Sequence, residues 1–459
     1  MTPNRKGEAK GKARDEAKGK ARDEAKGKAR DEAKGKAKDD AKAKGKPMPN
    51  PAPTPEPRKD AVLATYELEG EFPLADLTRV VAMEETTGTW TPVPKRTGSL
   101  EEELQGEVVA LDEANHRGVV AYPLGIFEVE NIPGFLAIVA GNLFGLGSLR
   151  RARLVDLEFP PAFAKKYPGP GFGIPGVRKM VGTAKVGRPH GGTIVKPKVG
   201  LDPKGTAAVA KEAALGGVDF IKDDETLTDQ EFCPLEERMR LVMEAMDQAK
   251  SETGRKPLYA VNLTAGANEI VDRLDRVRDA AEPNCVMVDV LTSGLDALLQ
   301  LRRHAKVPIH VHRAMHGAIT RSRDFGISMT VWSRLTRLCG GDQLHIGSAS
   351  GKMEHPAELG ELLDALRAPM HGMKAVFPVS SGGLHPASVP HEVKAFGSDV
   401  VLQAGGGIHG HPGGTRKGAM AFLQAIDEVH AGRPIEKTKS PELQAALRRW
   451  KADEYRYEA

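Results

Sequence analysis

Past residue 170 the chain alternates between two hydrophobic patterns. Short apolar runs rich in β-branched residues read as buried strands. They are "GTIVKPK" (192–198), "VDFIKDDE" (218–225), "LYAVNLT" (258–264), "CVMVDVLT" (285–292), "PIHVHRAMH" (308–316), "LHIGSASGK" (344–352), "AVFPVSSGG" (375–383) and "VVLQAGGG" (400–407). Between them lie stretches with apolar positions at helical spacing, such as "PLEERMRLVMEAMDQAKSETG", "SMTVWSRLTRLCGG" and "RKGAMAFLQAIDEVHAG". Asp202 before Pro203 is a helix start, and Gly216-Gly217 a stop. Eight strand–helix units in about 270 residues predict a (β/α)8 TIM barrel over 169–459. An open doubly wound sheet is the rival; no dinucleotide fingerprint follows the first strand.

Residues 58–168 mix strand-like pieces ("AVLATYELEG", "GEVVALDE", "RGVVAYPLG", "FLAIVAGNLFG") with helical ones, predicting a smaller α+β domain. The Pro/Gly-rich joint "YPGPGFGIPG" marks its boundary with the barrel. Residues 1–57 have no apolar stripe at all. "GKARDEAK" repeats from Gly11, Gly19 and Gly27, with a decayed copy from Gly35, and "KPMPNPAPTPEP" follows. Alanine is the repeat's only apolar residue, so it cannot repay its ordering entropy. A disordered tail with a proline-rich linker is expected.

Charge changes the picture once it is divided. The whole chain is +4, but residues 1–57 hold 17 Lys/Arg against 10 Asp/Glu, which is +7 and leaves −3 for the rest. Attachment to nucleic acid or another polyanion is therefore expected only weakly, through the tail, where interspersed acids oppose it. There is no apolar run near the ~20 residues of a membrane helix and no secretory leader pattern. The sparse, odd set of Cys233, Cys285 and Cys339 fits buried thiols in a reducing cytoplasm.

Candidate chemistry gathers where a barrel keeps it, at the carboxyl ends of strands. These ends carry Lys196 and Lys198; Lys222, Asp224 and Glu225; Asn262; His312, Arg313 and His316; His345; Ser381; and Gly405 to Gly407. Asp224 and Glu225, with the shorter-reach Asp223, offer hard oxygens suited to Mg2+. Lys222 among them is either the partner of Asp224 in a salt bridge or an amine whose pKa burial lowers. Such an amine would react with CO2 to give a carbamate and a third anionic oxygen. "SGG" (381–383) and "GGG" (405–407) offer backbone N–H groups for phosphate. Arg313 and His345 could grip a second one. "GSASGKME" reads as a mobile loop carrying Lys352 over the mouth.

"GGTIVKPKVGL", "GGVDFIKDDE", "HVHRAMHG", "GDQLHIGSASGKME", "PVSSGG" and "LQAGGG", with "EETTGTW" and "GNLFG" in the smaller domain, resemble the large subunit of ribulose-1,5-bisphosphate carboxylase/oxygenase (RuBisCO), most closely its archaeal form III branch. The resemblance runs from about residue 60 to the C-terminus. It implies carboxylation, with side oxygenation, of ribulose 1,5-bisphosphate to two 3-phosphoglycerates through an enediolate. It implies one Mg2+ per site, held by carbamylated Lys222, Asp224 and Glu225, with a carbamate oxygen taking the proton from carbon 3. Lys196 would be acid/base, tuned by Lys198, and His312 part of the proton relay. Arg313 and His345 would hold one phosphate, with His316 in the same shell. Gly382, Gly383, Gly405 and Gly406 would cradle the other, joined by Thr89 and Trp90. Ser381 would bond a substrate hydroxyl, and Lys352 would close over the new carboxylate. Glu84 and Asn142 would reach the site of a partner subunit, making the working unit a homodimer or an assembly of dimers. Met353, Ile194 and Gln343 depart from the plant pattern. The rival implied by the same resemblance is a RuBisCO-like enolase or isomerase that fixes no CO2, which would lose several groups that stand here.

Overall fold

The computed structural model describes residues 60–88, 99–352 and 358–451. The repeat tail, Thr89, Trp90 and Met353 lie outside the described residues.

The smaller domain is built on β1 (Ala61–Gly70), β2 (Glu107–Asp112), β3 (Arg117–Pro123) and β4 (Leu149–Glu158). Its sheet runs β10-β4-β1-β3-β2, and β10 (Phe325–Ile327) is a strand lent by the barrel's own chain. It pairs in parallel with β4, Phe325 against Ala152 and Ile327 against Leu154. Arg334 adds two hydrogen bonds to the Asp156 carboxylate at 2.5 and 2.9 Å. The helix Leu74–Glu84 lays Leu74, Leu77, Val81 and Ala82 on the sheet. Below it Phe127, Phe135, Phe159 and Phe163 pack ring against ring.

"FLAIVAGNLFG" is a helix, Ile132–Ala140, and a short 3-10 turn, not a strand. The reason lies just upstream: the Asn131 side chain accepts from Gly134 N–H at 2.9 Å, and Pro133 follows at the start of the first turn. The missed strand is β4, whose arginines break the apolar alternation. In the sheet they pair across to β1, Arg151 with Glu69 at 2.9 Å and Arg151 with Glu67 at 3.3 Å.

The predicted barrel is present and closed. Its strands are β5 (His190–Ile194), β6 (Phe220–Lys222), β7 (Leu258–Asn262), β8 (Cys285–Asp289), β9 (Ile309–His312), β11 (Gln343–His345), β12 (Phe377–Ser381) and β13 (Val401–Gln403). All eight are parallel, and β13 closes onto β5. Six lie inside their predicted runs, while β5 starts two residues before its run and β11 one; all eight stop before the run ends, so the polar residues fall at or just past the carboxyl ends. The interior packs Phe220, Leu258, Met287, Phe377 and Val401 with Ile174 and Val177. Those last two belong to the helix Gly173–Val181, which plugs the amino end of the barrel. Its first turn is fixed there by Asp342, just before β11, which accepts from Phe172 and Gly173 N–H at 2.6 and 2.7 Å. One end is thus sealed with apolar side chains and the other is left for chemistry. Asp202 caps the helix Pro203–Leu215 as predicted, accepting from Gly205 N–H at 2.7 Å. The three cysteines are free and buried. Among the described residues no helix is long and apolar enough to cross a membrane.

Candidate active site

The carboxyl ends of the strands open into a cavity of about 880 Å3. Lys196 and Lys198 enter it beyond β5, Lys222 and Glu225 from β6, and His312, Arg313 and His316 from β9. His345 and Lys352 follow β11, Ser381 to Gly383 end β12, and Gly405 and Gly406 follow β13. Residues spread over more than two hundred positions are brought together by closure of the barrel.

At the β6 end the chain turns so that its three carboxylates part company. Asp223 points back into the wall, where Tyr259 Oη donates to it at 2.6 Å, Arg238 Nε at 3.1 Å and Asn262 N–H at 3.0 Å. It is fully satisfied, so its role is to hold the turn rather than to add charge at the mouth. Asn262 ties the same turn, its Nδ2 donating to the Asp224 and Glu225 carbonyls at 3.3 Å.

Lys222 is 1% exposed. Its Nζ donates to the Asp223 carbonyl at 2.8 Å and stands 3.5 Å from Glu225 Oε2. The salt bridge to Asp224 considered above is not formed; Asp224 Oδ2 takes Lys196 Nζ instead, at 2.6 Å. Burial lowers the Lys222 pKa against the pull of Glu225 and Asp224. Burial pushes Asp224 up, but the Lys196 hydrogen bond wins and its pKa ends lower than usual. In Glu225 burial is outweighed by Lys222 and His312, which hold the carboxyl at about 2. As Lys222 loses its proton that pull fades, so the two ionisations are linked.

Among the described residues no group of three or more His, Cys, Asp or Glu is placed to hold a metal ion. Two hard carboxylates, Asp224 and Glu225, suit Mg2+, which binds through one or two carboxylates and keeps waters of its own; an ammonium on Lys222 would oppose the cation, and a carbamate there would add a third oxygen.

His312 donates from Nδ1 to Asp289 Oδ2 at 2.9 Å, and its Nε2 lies 3.7 Å from Glu225. Burial lowers its pKa. A neutral ring keeps its proton on Nδ1, shared in a hydrogen bond with Asp289, and so leaves Nε2 as a base facing the cavity. Asp289 ends β8 and also accepts from Ala314 N–H at 2.5 Å. It is a strand-end carboxylate, but a single acid with no motif around it signals no role in a sequence. His316, lowered to about 4 by burial and then by Arg313, bonds Thr320 at 3.0 Å. Both ring nitrogens of His345 are engaged, by Ser381 and His310, each at 2.8 Å. Lys352 is fixed through its backbone, N–H to the Gly382 carbonyl at 2.9 Å. Buried Glu392 anchors the preceding loop, accepting from Ala349 and Ser350 N–H at 3.1 and 2.6 Å.

Glu84 and Asn142 lie in the smaller domain and meet each other, Nδ2 to Oε1 at 3.1 Å. Neither lines the cavity of this chain. Trp450, past the helix Pro441–Arg449, and His385, stacked on it at 5.9 Å, do line it. No motif announced them, because a lone tryptophan after an amphipathic helix carries no local signal.

The profile described as "Ribulose bisphosphate carboxylase large chain, catalytic domain" matches residues 173–450, and the corresponding N-terminal domain profile matches 53–163. The ribulose bisphosphate carboxylase of Methanocaldococcus jannaschii is 42% identical over 420 residues, 86% of this chain and 98% of that one. That of Archaeoglobus fulgidus is 39% identical over 86% and 95%. Among solved structures, octameric Rubisco from Pyrococcus horikoshii superposes with a TM-score of 0.81 at 35% identity, covering 86% of this chain and 94% of that one. The dimeric archaeal Rubisco from Hyperthermus butylicus gives 0.78 at 35%, covering 86% and 97%. The chain belongs to the ribulose bisphosphate carboxylase large-chain family.

Proposed function

We propose that this chain is a ribulose 1,5-bisphosphate carboxylase, yielding two 3-phosphoglycerates, with oxygenation as a side reaction of the same enediolate. The observation that carries the reading is Lys222: a buried amine, destabilised as an ammonium, 3.5 Å from Glu225 and in the same turn as Asp224, lining the cavity. Relatives named ribulose bisphosphate carboxylase, 39–42% identical, support it.

Asp224, Glu225 and a carbamate on Lys222 would hold Mg2+, whose Lewis acidity would stabilise the negative charge of the enediolate oxygens. The remaining work belongs to the chain. Arg313 grips one phosphate as a bidentate donor, with His316 beside it. The N–H groups of Gly382, Gly383, Gly405 and Gly406 cradle the other, and Thr89 and Trp90 join them. Removal of the carbon 3 proton falls to the β6 end, where Lys222 and the neutral His312 Nε2 face each other across Glu225. Asp289 holds that imidazole in the useful tautomer. Lys196, fixed by Asp224 and flanked by Lys198, returns a proton to the final carbanion. Lys352 sets its ammonium against the new carboxylate, and Ser381 bonds a substrate hydroxyl. Glu84 and Asn142 complete the cavity of a second subunit.

The test is incubation with labelled CO2, Mg2+ and ribulose 1,5-bisphosphate. Acid-stable label in 3-phosphoglycerate is the expected result. Proton exchange at carbon 3 without label uptake would instead identify an enolase-type reaction.

A further inference from the structure

Four side chains run from inside the barrel to its mouth in a single file of hydrogen bonds. Gln343 Oε1 lies 2.7 Å from His310 Nδ1. His310 Nε2 lies 2.8 Å from His345 Nε2, and His345 Nδ1 lies 2.8 Å from Ser381 Oγ. Gln343 and His310 are completely buried and His345 nearly so, while Ser381 opens on the cavity. The chemistry above uses Ser381 but gives no task to Gln343 or His310.

Burial holds both imidazoles well below their ordinary pKa. Each therefore carries one ring proton near neutral pH. A neutral imidazole has one donor and one acceptor, so whatever stands at one end of the file decides every bond along it. An amide oxygen only accepts. His310 must then carry its proton on Nδ1 and accept at Nε2. His345 must donate from Nε2 and accept at Nδ1. Ser381 must direct its O–H inward, and it meets the cavity with lone pairs alone. Exchanging the amide's oxygen and nitrogen would invert all three bonds and turn Ser381 into a donor toward the substrate. The Gln343 Nε2 has no partner among the described residues, so His310 is the neighbour that the amide serves.

We infer that Gln343 is a positioning residue that acts through His310 and His345 to make Ser381 an obligate hydrogen-bond acceptor for a substrate hydroxyl. The inference rests on the reading that Ser381 faces substrate. A group able only to donate, such as a phosphate-binding cation, is not what this serine is set up to be.

Neutron diffraction from deuterium-exchanged crystals of the full chain reads the polarity directly. Deuterium is expected on His310 Nδ1 and His345 Nε2, with none on His345 Nδ1. Deuterium at His345 Nδ1 would overturn the inference. Kinetics give a second, independent reading through a double-mutant cycle. Gln343→Met should lower kcat for carboxylation about fivefold in the otherwise unaltered chain, the effect of losing one ordered hydrogen bond. In a Ser381→Ala background the same substitution should change kcat little. Equal losses in both backgrounds, or no loss in either, would show that Gln343 does not act through Ser381. Absence of carboxylation by the unaltered chain would count against the functional reading alone, because the ring protons are read without turnover.

Discussion

Lys222 and Glu85 are two ionisable groups treated alike by burial and put to different ends. Burial disfavours the charged form of each, lowering the lysine and raising the glutamate to about 7. An arginine in place of Lys222 cannot shed its proton, so Lys222→Arg should abolish CO2-dependent activation and lower turnover by about a hundredfold or more. Trapping of labelled CO2 on the activated protein, with and without the substitution, checks this. Glu85 accepts from Gly141 and Asn142 N–H at 2.9 and 3.0 Å, and so braces the backbone beside the Glu84–Asn142 pair. Its folded pKa exceeds its unfolded one, so between about pH 4.5 and 7 the folded state binds more protons and stability falls as pH rises. In Glu85→Gln that loss, at most about 2–3 kcal/mol, is absent. The variant's thermal midpoint should gain on the parent's from pH 5 to pH 8. The buried histidines with lowered pKa, such as His190 and His409, act with the opposite sign but equally in both proteins, and cancel in the difference.

Among the elements, period and punctuation made the barrel legible. Eight β-branched runs divided by helices have few other ways to close, and the strand ends then told where chemistry sits. What was not legible depended on partners distant in sequence. β4 could not be recognised until Glu67 and Glu69 were beside its arginines. Asp223 looked like one more carboxylate at the mouth until Arg238 and Tyr259 drew it into the wall. The glycine turn after β13 shows the same limit: two identical neighbours have different duties. A Cβ at Gly406 would meet nothing within 4 Å, whereas one at Gly407 would collide with the Leu384 carbonyl and lie 2.7 Å from His385 Cα. Gly407→Ala should therefore cost about 1–3 kcal/mol of stability. Gly406→Ala should leave the thermal midpoint nearly unchanged and raise KM for ribulose 1,5-bisphosphate, if the turn holds phosphate. Melting curves and initial rates on the two variants separate a packing glycine from a binding one.

At the scale of the whole molecule, the Glu84–Asn142 pair poses a problem of address. The two side chains are joined at 3.1 Å on the smaller domain, yet the cavity beside the same chain's Lys222 is lined by neither. Two-fold association, in which one chain's smaller domain caps the other chain's barrel, would give the pair a site and each site two parents. This geometry makes a quantitative prediction. Glu84→Gln and Lys222→Arg should each give an inactive homodimer. Refolded together in equal amounts, they should form mixed dimers as about half of the population. In a mixed dimer one site collects both defects, and the other pairs an intact barrel with an intact Glu84. Half of the sites in half of the dimers then work, so carboxylation should recover to about a quarter of the unaltered level. If each site were built within one chain, every chain in the mixture would carry its own defect and no activity would return. Rates measured across a series of mixing ratios distinguish the two, because recovery through shared sites must peak at equal proportions.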